Sequence, residues 1–177
     1  VGDYWNSNYG VDEIVSAPYD IDGNTSTFSA TAQQRIYDIW KVVADDYAPF
    51  DVDVTTQDPG VEGLRKTSAG DGSFGKRIVI TSSDWYYQAR GSTIGGIALI
   101  DVFSSSVDHS AFVFSGNLSG GSVKAVGEAT SHEAGHTFGL RHDGVTGGAS
   151  YYVGHGDWAP IMGVGYYETI TQWSKGE

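Results

Sequence analysis

Three of the five histidines fall within one short stretch, Ser131-His132-Glu133-Ala134-Gly135-His136-Thr137-Phe138-Gly139-Leu140-Arg141-His142-Asp143. On a helix, His132 and His136 lie four residues apart on one face, where both imidazoles reach a single ion. Glu133 is adjacent and reaches a water bound to that ion. Gly139 permits the positive φ that ends a helix and turns the chain back, so His142 approaches the same ion from outside the helix. Three neutral imidazoles with a fourth position open is the arrangement of catalytic zinc, whereas structural zinc closes its shell with four protein ligands, often thiolates. The chain has no cysteine with which to close it. Zinc brings the pKa of a bound water to about 7 and polarises a neighbouring carbonyl. Glu133 would take that water's proton and pass it to a departing amine.

The spacing His-Glu-x-x-His-x-x-Gly-x-x-His, with a methionine downstream in a turn, resembles the metzincin clan of zinc endopeptidases. Met162, the one methionine of the chain, stands in Ala159-Pro160-Ile161-Met162-Gly163 and matches the Met-turn. In the clan that turn is an apolar floor beneath the metal. Asp143, directly after the third histidine, is similar to the reprolysin (adamalysin) branch, which implies that it fixes the local chain without binding zinc. Val164 departs from astacin-like and serralysin-like members, which carry a tyrosine two residues after the methionine. No tyrosine ligand therefore carries over, although Tyr166 and Tyr167 stand close by.

Two helices and a few strands must position these groups. Ser29 to Tyr47 carries Ile36, Ile39, Trp40, Val43 and Tyr47 on one helical face, with Thr31 and Gln34 spaced as a capping box and Pro49 as the stop. Val123 to Phe138 forms the second helix, with Ser122 as N-cap and Gly139 as its end. Phe50 to Thr55 alternates with period two, Val52 and Val54 on one side and Asp51 and Asp53 on the solvent side, and predicts a strand. Arg77 to Thr81 and Gly95 to Phe103 predict two more. From Gly144 to Tyr167 the sequence turns Gly- and Tyr-rich without a period, as an irregular subdomain does.

The metzincin resemblance orders these elements. It implies an α+β domain with a twisted mixed five-stranded sheet, a backing helix from Ser29 to Tyr47, an active-site helix, and a small C-terminal part. The expected division is 1–142 and 143–177 within one catalytic domain. The run from Gly95 to Phe103 becomes the edge strand that pairs with an extended substrate, through Ile97, Ala98 and Leu99. Tyr166 and Tyr167, after the Met-turn, are candidates for an apolar wall of the pocket that takes the residue following the cleaved bond. His155, in Gly154-His155-Gly156, is a candidate donor to the transition-state oxyanion, against the plainer reading of a loop histidine.

Length and charge bound the rest. The 177 residues suit one domain with a real core, and 22 acidic against 10 basic side chains give a net charge of -12. Such a field repels nucleic-acid backbones and anionic membrane surfaces, and no apolar run reaches the roughly 18 to 20 residues of a membrane span. Protein or peptide substrates are expected, on a monomer. The 25 glycines, 11 tyrosines and 5 tryptophans suit a secreted, loop-rich protein. Asp20-Ile21-Asp22-Gly23-Asn24 offers clustered oxygens for calcium, but its glycine comes too early for an EF-hand and an Asx-type turn fits better. The start at Val1, without Met or signal peptide, fits release from a latent precursor whose pro-segment, or a protein inhibitor, blocks the zinc. The end at Gly176-Glu177 falls where such domains continue into a final helix, so a further C-terminal segment is expected. Two other readings of the tripod stand beside the endopeptidase: a zinc-dependent hydrolase of non-peptide amides, and a zinc-stabilised adhesion or binding module without turnover.

Overall fold

The computed structural model describes residues 3–11 and 13–175, so Val1 and the Gly176-Glu177 end lie outside the described residues. In chain order it runs α1 (Asp3–Tyr9), α2 (Ala30–Tyr47), the single turn α3 (Gly60–Gly63), β1 (Ile78–Thr81), α4 (Trp85–Arg90), β2 (Gly96–Ile97), β3 (Ala111–Phe114), α5 (Val123–Thr137), β4 (Trp158–Pro160) and β5 (Ile170–Gln172).

β3 is the centre of the main sheet, with β1 parallel on one side and β2 antiparallel on the other. Its residues alternate between two cores, as a period of two requires. Val113 joins Ile39, Ala125, Val126 and Ala129 beneath α2 and α5. Phe112 and Phe114 face Trp5 and Trp85 of α1 and α4 on the other side, with Trp85 set edge-on to both phenylalanines. The sheet is thus buried on both faces, with β1 and β2 as its edges.

Of the two long helices, the second starts at the expected cap, Ser122, and the first at Ser29. Ser29 Oγ accepts the Ala32 N–H and Ser122 Oγ accepts the Ala125 N–H, each satisfying one of the free donors of a first turn. The capping box expected at Thr31 and Gln34 does not form, because Ser29 is the cap and the Gln34 amide donates to Asp38 one turn on. α2 and α5 pack so closely that a Cβ on Gly127 would stand 2.7 Å from Val42 Cγ1.

Two predicted strands change. Residues 50–55 join no ladder: the chain bends at Phe50 and Asp51, where the Val52 N–H bonds the Phe50 carbonyl, and the Val54 carbonyl accepts the Trp40 indole N–H. The run from Gly95 to Phe103 pairs only over Gly96–Ile97. It breaks at Asp101, which takes a φ of 60°, and the N–H groups of Asp101, Val102 and Phe103 then bond the His136 and Thr137 carbonyls at the end of α5. Those carbonyls lack partners within the helix, so the strand is shortened to cap it. Among the described residues the main sheet therefore has three strands, not five; β4 and β5 form a separate parallel pair. At the second loop singled out in the sequence, Asp20 Oδ1 accepts the Asp22 and Gly23 N–H groups, which is an Asx turn.

Candidate metal centre

α5 is held along its length before it reaches the histidines. The Tyr47 hydroxyl of α2 donates to the Ser131 carbonyl at 3.1 Å, and Ser131 Oγ donates to Asp46 Oδ2 at 2.6 Å. At its end Gly139 takes a φ of 96° and donates to the His136 carbonyl, while the Leu140 N–H reaches the Gly135 carbonyl. That left-handed turn sends the chain back, and the third histidine follows.

His132, His136 and His142 each present one ring nitrogen, and the three nitrogens lie within 4.8 Å of one another. His136 Nε2 and His142 Nε2 are 3.0 Å apart. The inner nitrogens are already committed: His132 Nδ1 bonds the Ile161 carbonyl and His136 Nδ1 the Leu140 carbonyl, both at 2.8 Å. A carbonyl only accepts, so in the neutral rings Nδ1 carries the proton and Nε2 keeps its lone pair for a metal. Burial keeps the rings neutral. It pulls His132 down to about 4, aided by repulsion from the other two, and also lowers His136 and His142. Two nitrogens bound at about 2.1 Å to one tetrahedral ion stand about 3.4 Å apart, so the donor set fits zinc with little adjustment.

Glu133 is buried beside them, and the loss of water pushes its carboxyl up to about 8. The strand above leaves it no spare room. A Cβ on Gly96 would stand 2.6 Å from Glu133 Oε1, so β2 crosses directly against the carboxylate and only glycine permits it.

Met162 is fully buried in a turn closed by the Gly163 N–H on the Pro160 carbonyl. Its Sδ lies 2.7 Å from where a Cβ on Gly135 would be, with the Trp173 ring at 3.1 Å from the same point. Methionine and tryptophan thus press on the helix at the residue just before its second histidine. Trp173 is fixed by donating to the Asp46 carbonyl and by packing edge-on to Tyr47. Asp143 ties the two chains through its backbone, its N–H on the Met162 carbonyl and its own carbonyl accepting from Tyr152. Its carboxylate Oδ2 is buried with no hydrogen-bond partner, and burial raises its pKa.

The remaining candidates are scattered more widely. Ile97 and Leu99 are half-buried against the core cluster that holds Trp85 and Phe112, so contact with an extended chain would run through their backbone; Ala98 is half-buried between them. Tyr166 packs on the core cluster of α5, its hydroxyl 3.2 Å from where a Cβ on Gly95 would stand. Tyr167 is 84% exposed. The exposed His155 bonds the Tyr152 hydroxyl through Nδ1 at 2.7 Å and pairs with Trp158 along the backbone. Three neighbours of the site carried no signal in the motif: Gly96, Trp173 and Tyr151, whose ring lies against His142. The paired glycines at 95–96 were the one available hint of a close backbone approach.

No curated protein and no solved structure matches the chain. A family model described as metallo-peptidase family M12B, reprolysin-like, matches residues 17–143, from the segment before α2 through the three histidines to Asp143. The match covers well over half of the sequence, and the chain belongs to the reprolysin-like metallopeptidases of family M12B.

Proposed function

We propose that the chain is a secreted zinc endopeptidase that cleaves internal bonds of extended protein substrates, with His132, His136 and His142 as ligands and Glu133 as general base. The observation that carries this reading is the convergence of three imidazole nitrogens, two of them oriented by backbone carbonyls, beside a buried glutamate. When bound, zinc supplies a Lewis acid that acidifies water and polarises the scissile carbonyl.

The protein's own groups do the rest. Glu133, its ionised form favoured over the neutral acid by a cation held on the neighbouring histidines, takes a proton from the attacking water and returns it to the leaving amine. β2, with one edge unpaired in its sheet, offers backbone groups to an extended substrate, which places the chain across Glu133. Met162 forms the floor of the Met-turn, supported by its contact with Gly135. Asp143 holds the segment after the third histidine against that floor through its backbone. Tyr166 and Tyr167 line the primed side and His155 donates toward the oxyanion in this reading. Among the described residues no helix is long and apolar enough to cross a membrane, and export of a monomer, latent until a pro-segment leaves, completes the proposal.

Denatured casein with and without a chelator tests it. Cleavage that stops on chelation and returns with zinc is expected. Chelator-insensitive cleavage, or none by a zinc-loaded sample, would refute the endopeptidase; turnover of simple amides alone would leave the hydrolase, and zinc without turnover the binding module.

A further inference from the structure

His132 and His136 each have an inner nitrogen fixed by a backbone carbonyl. His142 has no such partner for Nδ1 among the described residues, and it is exposed on the chain beyond the helix. Besides the other two histidines, what meets its ring is Tyr151. The two ring centroids are 4.0 Å apart with planes inclined by 34°, and the same tyrosine lies 6.2 Å from His132 at 25°. One flat side chain therefore covers the third imidazole and reaches toward the first.

The backbone delivers that ring firmly. Residues 144–150 form a loop whose neck is closed by the Tyr152 N–H on the Asp143 carbonyl at 2.6 Å and the Val145 N–H on the Ala149 carbonyl at 2.8 Å. Tyr152 is held from the other side as well, its carbonyl accepting the Val164 N–H at 2.9 Å. A Cβ on Gly144 would stand 2.8 Å from the carbonyl oxygens of Ala149 and Ser150, so the neck closes this tightly only on glycine. Tyr151 is the residue next to this fixed point.

We infer that Tyr151 is a positioning residue for the third ligand: its ring face holds the His142 imidazole as the Ile161 and Leu140 carbonyls hold the other two. The inference rests on the zinc centre proposed above. The ring supplies the effect, so the hydroxyl is dispensable. Neighbours that orient ligands are worth about 10- to 100-fold in metal affinity when removed.

Zinc-free protein titrated with zinc against a chromophoric chelator tests this. The wild type should take up one equivalent. Tyr151→Phe should bind within about threefold of wild type, and Tyr151→Ala about 10- to 100-fold more weakly. With His142→Ala already in place, adding Tyr151→Ala should change the affinity no further, since the two residues act as one unit. Should Tyr151→Ala fail to fold, Tyr151→Leu keeps the bulk without the planar face and should show the same loss. Unchanged affinity in Tyr151→Ala or Tyr151→Leu, a Tyr151→Phe as weak as the alanine variant, or an equal loss in the His142→Ala background would each overturn the positioning role while leaving the zinc centre intact. A wild type that takes up no zinc would overturn both.

Discussion

Replacing Gly96 by alanine inserts a methyl group where the Glu133 side chain lies. The new Cβ would stand 2.6 Å from Oε1, 2.7 Å from Cγ and 2.9 Å from Cδ, a shortfall of about 0.8 Å against the 3.4 Å at which ordinary contact begins. Because Cγ is crowded as well as the carboxylate, rotating the tip alone does not relieve the contact. The whole side chain must move by most of an ångström. A misplacement of about 1 Å at a reacting group costs about 100-fold in rate, or roughly 2.7 kcal/mol of barrier. The three histidines are untouched, so zinc content should not change. The assay is kcat and KM on a quenched fluorescent peptide, alongside zinc content and Tm. The expected result is a kcat about 100-fold lower with KM and zinc nearly unchanged. A kcat within about threefold of wild type would refute the reasoning, whether β2 had yielded or Glu133 does not lie against it.

Other perturbations act on Gly135, Glu133 and the two tyrosines. Gly135→Ala would place a Cβ 2.7 Å from Met162 Sδ and 3.1 Å from Trp173, and overpacking of this kind costs about 1–3 kcal/mol; an unchanged denaturant midpoint of the zinc-free variant would contradict the seat of Met162. Burial raises Glu133 from 4.5 to about 8, so its folded value lies above its unfolded one, and its contribution is complete below about 4.5 and lost as pH rises toward 8. Zinc-free protein should therefore lose about 1 kcal/mol between pH 7 and pH 8, and Glu133→Gln should abolish that slope; the same slope in both would assign it to another group. Tyr166, packed on the core, and Tyr167, 84% exposed, should separate in thermal unfolding, with Tyr166→Ala costing about 3 kcal/mol and Tyr167→Ala under about 0.5; equal losses would contradict this placement.

The histidine motif is readable because helical periodicity and a single glycine determine where its residues go. His132 and His136 share a face by spacing alone, and Gly139 ends the helix at a φ of 96° as its position implied. The strands were less readable. Alternation marks residues 50–55 as half-buried, but pairing depends on a partner that sequence does not name, and here the Trp40 indole takes a carbonyl that a ladder would use. From Gly95 to Phe103 the apolar run was visible, whereas the turn at Asp101 was not, because it answers a need of α5 some thirty-five residues on. Trp173 and Tyr151 were missed for a related reason. Each reaches the site through a loop or tail without period, and what positions it is a hydrogen bond across the fold, the Trp173 indole on the Asp46 carbonyl and the Tyr152 backbone, next to Tyr151, on Asp143 and Val164.

The rate of Glu133→Gln at full zinc occupancy tests the central claim most directly. With the histidines and their carbonyl partners unaltered, the variant should hold one zinc per chain, as tightly as wild type, while kcat for peptide cleavage falls by about 10²- to 10⁴-fold, the worth of a positioned general base. A variant that holds its zinc and still cleaves at the wild-type rate would contradict the assignment of Glu133. A wild type that holds no zinc would contradict the metal centre itself.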